Sequence, residues 1–127
     1  MCAYVALLLV LSGCAMTRSA FVRTAGDTGS AFAAAATTLA YVHQNRLTAA
    51  YGAASFVNFQ SELEGVGQQL PSLQGAPDAR TVRRLVALYT PAAQAVAHPC
   101  LDPACNWRAQ LAALRRAAAA FLKAGGE

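Results

Sequence analysis

The sequence predicts an all-α protein, a small antiparallel bundle of three to four helices with one disulfide. Three observations carry that expectation. Hydrophobic residues make up 56% of the 127-residue chain, and a large share of them are alanine, the residue with the best intrinsic helix propensity. Apolar side chains recur at spacings of three and four, the period of a helix with one buried face. Stretches rich in glycine and proline punctuate these periodic segments. Alanine buries little area, so the core of such a protein is built by close helix approach more than by bulky side chains. A chain of this length forms one domain with a modest core.

The elements follow in order. Gly26-Asp27-Thr28-Gly29-Ser30 is a breaker cluster rich in capping residues, so a first helix is expected to start there with Asp27 or Ser30 as its cap. Ala31 to Gln44 places Phe32, Leu39 and Val42 on one side, with small Ala35 and Ala36 beside them. After polar Gln44-Asn45-Arg46, Leu47 resumes the pattern, and Phe56, Phe59 and Leu63 form a second stripe. Gly52 is a point of weakness, but no proline follows, which favours one continuous or bent helix to about Glu64. The change of stripe implies that its two halves face different neighbours. Gly65 to Asp78 is the main loop, punctuated by Gly67, Pro71, Gly75 and Pro77 and pinned to the core by Leu70 and Leu73.

Asp78 is a good N-cap for the next helix, whose inner face is Val82, Leu85, Val86, Tyr89, Ala93 and Val96, with Arg80 and Arg84 opposite. Pro91 removes a backbone donor, so this is either a kinked helix or two short ones, ending before His98-Pro99. Thr90-Pro91 can start a new helix with Thr90 as its cap and Pro91 at the first position, and Asp102-Pro103 repeats that signature. The last helix then reads Trp107, Leu111, Leu114, Ala118, Phe121 along one seam and ends at Gly125-Gly126, with Lys123 suiting the negative end of the helix dipole.

The N-terminus carries a different kind of information. Val5 to Leu11 is a compact apolar run that ends in small Ser12 and Gly13. It is well short of the roughly 20 residues that a membrane-spanning helix needs, and its layout is that of a cleaved signal peptide. Leu11-Ser12-Gly13-Cys14 resembles the lipobox of bacterial lipoproteins. That resemblance implies diacylglycerol on the Cys14 thiol, cleavage just before it, and acylation of the new amine. It implies residues 1–13 as signal peptide; the residues themselves then read as a lipidated tether over 14–25 and the helical bundle over 26–127. Met1-Cys2-Ala3-Tyr4 departs from the class in carrying no lysine or arginine. Ala15 and Met16 follow the cysteine in place of the aspartate that commonly retains lipoproteins at the inner membrane, so the resemblance implies the periplasmic face of the outer membrane.

This address organises the candidate sites. With Cys2 lost with the signal and Cys14 lipidated, Cys100 and Cys105 remain as a pair in an oxidising compartment and are expected to form a structural disulfide. The sharper alternative adds His98 and Asp102 as ligands for zinc or copper. The net charge is +4, and Arg80, Arg84, Arg108, Arg115 and Arg116 form a basic surface suited to anionic lipid, polymer or an acidic protein. Export makes nucleic acid a poor partner. His43 has no nucleophile or carboxylate signalled beside it, and is expected at a helix surface or boundary. Glu62 and Glu64, two apart on a helix, face different directions. Trp107, Phe121 and Tyr89 are core residues that would otherwise line a small apolar groove. No glycine-rich phosphate loop, nucleophile elbow or metalloprotease helix is present.

These features predict a non-catalytic, lipid-anchored envelope protein that needs no cofactor and binds another envelope protein as an adaptor or assembly factor. In size, helical content and single disulfide the chain is broadly similar to pilotins, which escort secretin subunits to the outer membrane by cradling a peptide helix. The alternatives are a small-ligand or metal carrier, and a structural protein whose basic face meets anionic lipid or polymer.

Overall fold

The computed structural model describes residues 18–126. The lipobox Leu11–Cys14 and the beginning of the expected tether lie outside the described residues. Four helices form the body: α1 (Ala20–His43), α2 (Ala49–Leu63), α3 (Ala79–Ala97) and α4 (Trp107–Ala124). A single helical turn (Val66–Gln69) and a 3-10 turn (Leu70–Ser72) lie between α2 and α3. The fold is the expected antiparallel all-α bundle, with four main helices. Packing is most extensive between α1 and α4, followed by α3 with α4, α1 with α2, and α2 with α3. The helices therefore form a ring in chain order, with α2 diagonal to α4. No described helix is long and apolar enough to cross a membrane.

The first helix begins earlier than expected. Ser19 is its N-cap, its hydroxyl accepting from the Val22 amide at 3.2 Å. Residues 20–25 are thus helix, not tether, because Phe21 and Ala25 are buried and the Phe21 amide donates to Gln74 O at 3.0 Å. Gly26 and Gly29 lie inside α1. A Cβ on Gly29 would stand 2.7 Å from Leu122 N, and one on Gly125 would stand 2.6 Å from Gly26 Cα. These pairs set an antiparallel α1–α4 register in which backbones nearly touch. Gly29, which reads as a helix breaker, and Gly125 are what permit this approach.

The expected single helix from Ala31 to Glu64 is two helices. Gln44 to Leu47 form a turn in which Asn45 takes a left-handed φ of 58°. Asparagine tolerates this better than most residues. Thr48 then caps α2, accepting from the Tyr51 amide at 3.1 Å. Gly52 does not break α2. It is buried where a Cβ would meet Val42 Cγ2 at 2.7 Å. In the following connection Leu70 is buried and Leu73 packs against the core, as expected.

Asp78 caps α3, accepting from the Thr81 amide at 2.7 Å, and this bond holds its carboxyl below the usual aspartate range. Pro91 neither ends nor divides the helix, which runs through it to Ala97. Ala87, Thr90 and Pro91 are all exposed, so the carbonyl deprived of its donor lies on the solvent side. Asp102-Pro103 does not start α4. Asn106 caps it, accepting from the Ala109 amide at 3.3 Å. The core seam Leu111, Leu114, Ala118, Phe121 is buried as its spacing requires.

At the centre, Phe32 of α1 meets Tyr89 of α3 edge-on at 5.7 Å and Phe121 of α4 at 5.9 Å. Tyr89 and Phe121 are themselves 6.3 Å apart. Edge-to-face contacts of this kind add about 0.5–1.5 kcal/mol each beyond area burial.

The close seam separates two neighbouring glycines experimentally. Gly29→Ala should destabilise by about 1–3 kcal/mol, because the methyl meets backbone that cannot give way. On Gly26 the nearest atom to a Cβ is 3.9 Å away. Gly26→Ala should therefore be neutral or stabilise by up to about 1 kcal/mol through helix propensity. Urea unfolding of the two variants checks the contrast.

Candidate functional site

The Cys100–Cys105 segment closes the α3–α4 connection. The two cysteines are joined, with Cα atoms 5.8 Å apart. The Asp102 carboxylate turns inward on the loop, accepting from the Ala104 amide at 2.8 Å. Gln110 of α4 reaches back, its carboxamide donating to His98 O at 2.9 Å and accepting from the Cys100 amide at 2.7 Å. From α1, His43 Nε2 lies 2.6 Å from Cys100 O. A carbonyl only accepts, so Nε2 carries the proton in this bond. The His43 ring stacks on Trp107 at 4.2 Å with an interplanar angle of 8°, and the Arg108 guanidinium lies 4.7 Å from the Trp107 ring centre. The loop is thus held covalently, by α4 and by the end of α1.

This geometry sorts the candidates. His43 is the half-buried boundary residue expected, with a partner set that local sequence does not signal. Trp107 belongs to this end of the bundle, whereas Phe121 and Tyr89 meet in the central cluster. The three do not line a common groove. The disulfide occupies both sulfurs, and no group of three His, Cys, Asp or Glu among the described residues is placed to hold a metal. Arg80 and Arg84 on α3, and Arg108, Arg115 and Arg116 on α4, are all exposed. Glu62 and Glu64 are exposed and diverge, one beside the α1–α2 groove and the other beside the α2–α3 groove.

The surface that sequence reading missed is the outside of α2. Only Gly52, Phe56 and Leu63 of this helix are buried. Yet Leu47 to Ser61 contains no charged side chain. At 100° per residue the face opposite those three carries Ala54 at its centre, with Ala50, Val57, Asn58 and Ser61 around it and Tyr51 at its edge. Tyr51 is 60% exposed and Val57 is 65% exposed, the large hydrophobic residues that stand out on the described surface. Shallow grooves flank the helix. The α1 side includes Ala33, Thr37, Tyr41, Tyr51 and Phe59. The α3 side includes Val57, Tyr89, Ala93 and Ala97. Besides Glu62 and Glu64, the residues lining both grooves are uncharged. The only sequence signal was a long uncharged run whose apolar stripe accounts for too few of its residues.

Tyr89 forms part of the α3 wall. Its hydroxyl donates to Leu63 O at 2.6 Å, joining α3 to the end of α2. Burial pushes its phenol above the ordinary tyrosine range, partly offset by the Gly67 backbone amide.

No family model, curated protein or solved structure matches this chain.

Two outcomes follow from these contacts. Tyr89→Phe should cost about 1 kcal/mol at neutral pH by removing one hydrogen bond. The folded phenol titrates above its unfolded counterpart, so its contribution is complete below about pH 10 and is lost as pH rises through the folded value. Urea unfolding across that range should show a shallower alkaline decline in Tyr89→Phe than in the parent. Replacing both Cys100 and Cys105 by serine should cost on the order of 2 kcal/mol. His43→Ala should then cost less in that background than in the parent, because both act on one loop; a double-mutant cycle reads the coupling.

Proposed function

We propose that this is a non-catalytic, lipid-anchored protein of the bacterial envelope that binds other protein, an adaptor or assembly factor held at the periplasmic face of the outer membrane by lipid on Cys14. The observation that carries the binding role is the exposed, charge-free face of α2 with its Tyr51 and Val57. Apolar surface of this kind, rimmed by polar residues, is characteristic of protein contact sites. The lipobox resemblance at Leu11-Ser12-Gly13-Cys14 supports the address. Two or more acyl chains at about 0.8 kcal/mol per buried methylene make attachment effectively permanent. The Cys100–Cys105 bond agrees with an oxidising compartment.

A second reading rests on the exposed arginines Arg80, Arg84, Arg108, Arg115 and Arg116, which suit contact with anionic lipid or polymer. Salt separates the two, since screening weakens the charged contact far more than the apolar one. A metal-carrier role is disfavoured by a disulfide that engages both sulfurs.

Intact-mass measurement on protein extracted from bacterial membranes tests the address. The expected mass starts at Cys14, carries acyl chains, and gains two hydrogens on reduction. Cys14→Ala should leave the chain uncleaved and without lipid. An unprocessed parent in the soluble fraction would overturn the proposal.

A further inference from the structure

We infer that the outer face of α2 pairs with the same face of a second copy of this chain, the two α2 helices running antiparallel across a two-fold axis beside Ala54. The inference rests on reading this face as a protein-binding surface and names its occupant; it is independent of the lipid anchor.

The charge pattern carries it. The face is neutral along its length but has a charge of opposite sign at each end. Arg46 stands at the start, its guanidinium 4.3 Å from the Tyr41 ring centre, and Tyr41 lines the α1–α2 groove together with Leu47 and Tyr51. Glu62 lines the far end of that groove, and Glu64 lines the parallel groove against α3. Antiparallel pairing about Ala54 turns the Arg46 end of each copy's α1–α2 groove toward the Glu62 end of the other's, twice, as an isologous contact requires. A parallel arrangement would instead place like charges together.

The apolar groups obey the same symmetry. Val57 and Tyr51 each lie three residues from Ala54, on opposite flanks. The two-fold preserves the flanks, so the Tyr51 side chains of both copies line one side of the seam and the Val57 side chains of both line the other, covering the two most exposed large hydrophobic side chains. Alanine at the centre allows close approach of the helix backbones. The basic helix α4 is diagonal to α2, so Arg108, Arg115 and Arg116 stay remote from the contact and its net repulsion is small. The same pairing puts the two Ser19 ends at opposite ends of the dimer.

Cysteine cross-linking of the full chain expressed in bacteria tests this. Ala54→Cys should give a disulfide-linked dimer on mild oxidation, while the parent and Arg84→Cys, on an exposed part of α3, should not. Arg46→Glu in the Ala54→Cys background should slow dimer formation by about fivefold, the scale of two exposed ion pairs. Arg46→Glu combined with Glu62→Arg should restore it. Circular dichroism confirms that each variant keeps its helices. Cross-linking of Ala54→Cys no faster than Arg84→Cys, with no other adduct, would overturn both the self-pairing and the binding role of this face. A dominant adduct with a different protein would overturn self-pairing and leave the adaptor reading standing. Failure of the charge swap to restore the rate would overturn the antiparallel register on which the inference depends.

Discussion

Backbone contact between α1 and α4 governs this fold. Gly29 and Gly125 let the two helices approach until neither position has room for a methyl group. The approach substitutes for bulk: many buried residues along these helices are alanines, which cover little area singly. Dispersion at short range, summed over a long antiparallel seam, is what such a core relies on. The register of the seam also decides which residues meet elsewhere. It brings Phe32 to Phe121 in the middle and His43 to Trp107 at the far end.

Once α1 and α4 are fixed, α3 completes the core through Tyr89, and the α3–α4 loop is clasped by its disulfide, by Gln110 and by His43. Helix α2 is the member least used by this scheme. It lies across the ring from α4 and contributes three buried residues. A helix that buries so little of its own surface needs another reason for lacking charge on the remainder, and the proposed contact with protein supplies one.

Much of the architecture was legible because it depends on local periodicity. The α4 seam from Leu111 to Phe121, the Asp78 cap, and the anchoring roles of Leu70 and Leu73 follow from spacing and residue type alone. The disulfide followed from the cysteine count and the compartment that the lipobox resemblance implies. What was not legible depends on distant residues. Gly26 and Gly29 have the composition of a helix start, and only Leu122 opposite Gly29 explains why a glycine stands inside α1 there. Asn45 made the α1–α2 turn without the glycine that usually marks a left-handed residue. Asp102-Pro103 resembled a start signal, but the disulfide and Gln110 hold that segment in a loop and leave capping to Asn106. The His43–Trp107 stack joins residues far apart in sequence, and the α2 face announced itself only through missing charge.

The early start of α1 bears on how the protein would sit at a membrane. With lipid on Cys14, as proposed, the interval to the Ser19 cap is five residues. Fully extended, that spans at most about 18 Å, against about 43 Å had the helix begun at Gly26. The longer leash would let the bundle tumble clear of the bilayer; the shorter one confines it to the headgroup layer and its immediate border. In an antiparallel pair the two leashes leave from opposite ends. Satisfying both on one membrane requires the helices to lie along the surface instead of standing on it, so that two separate attachment points would act as the feet of a plank.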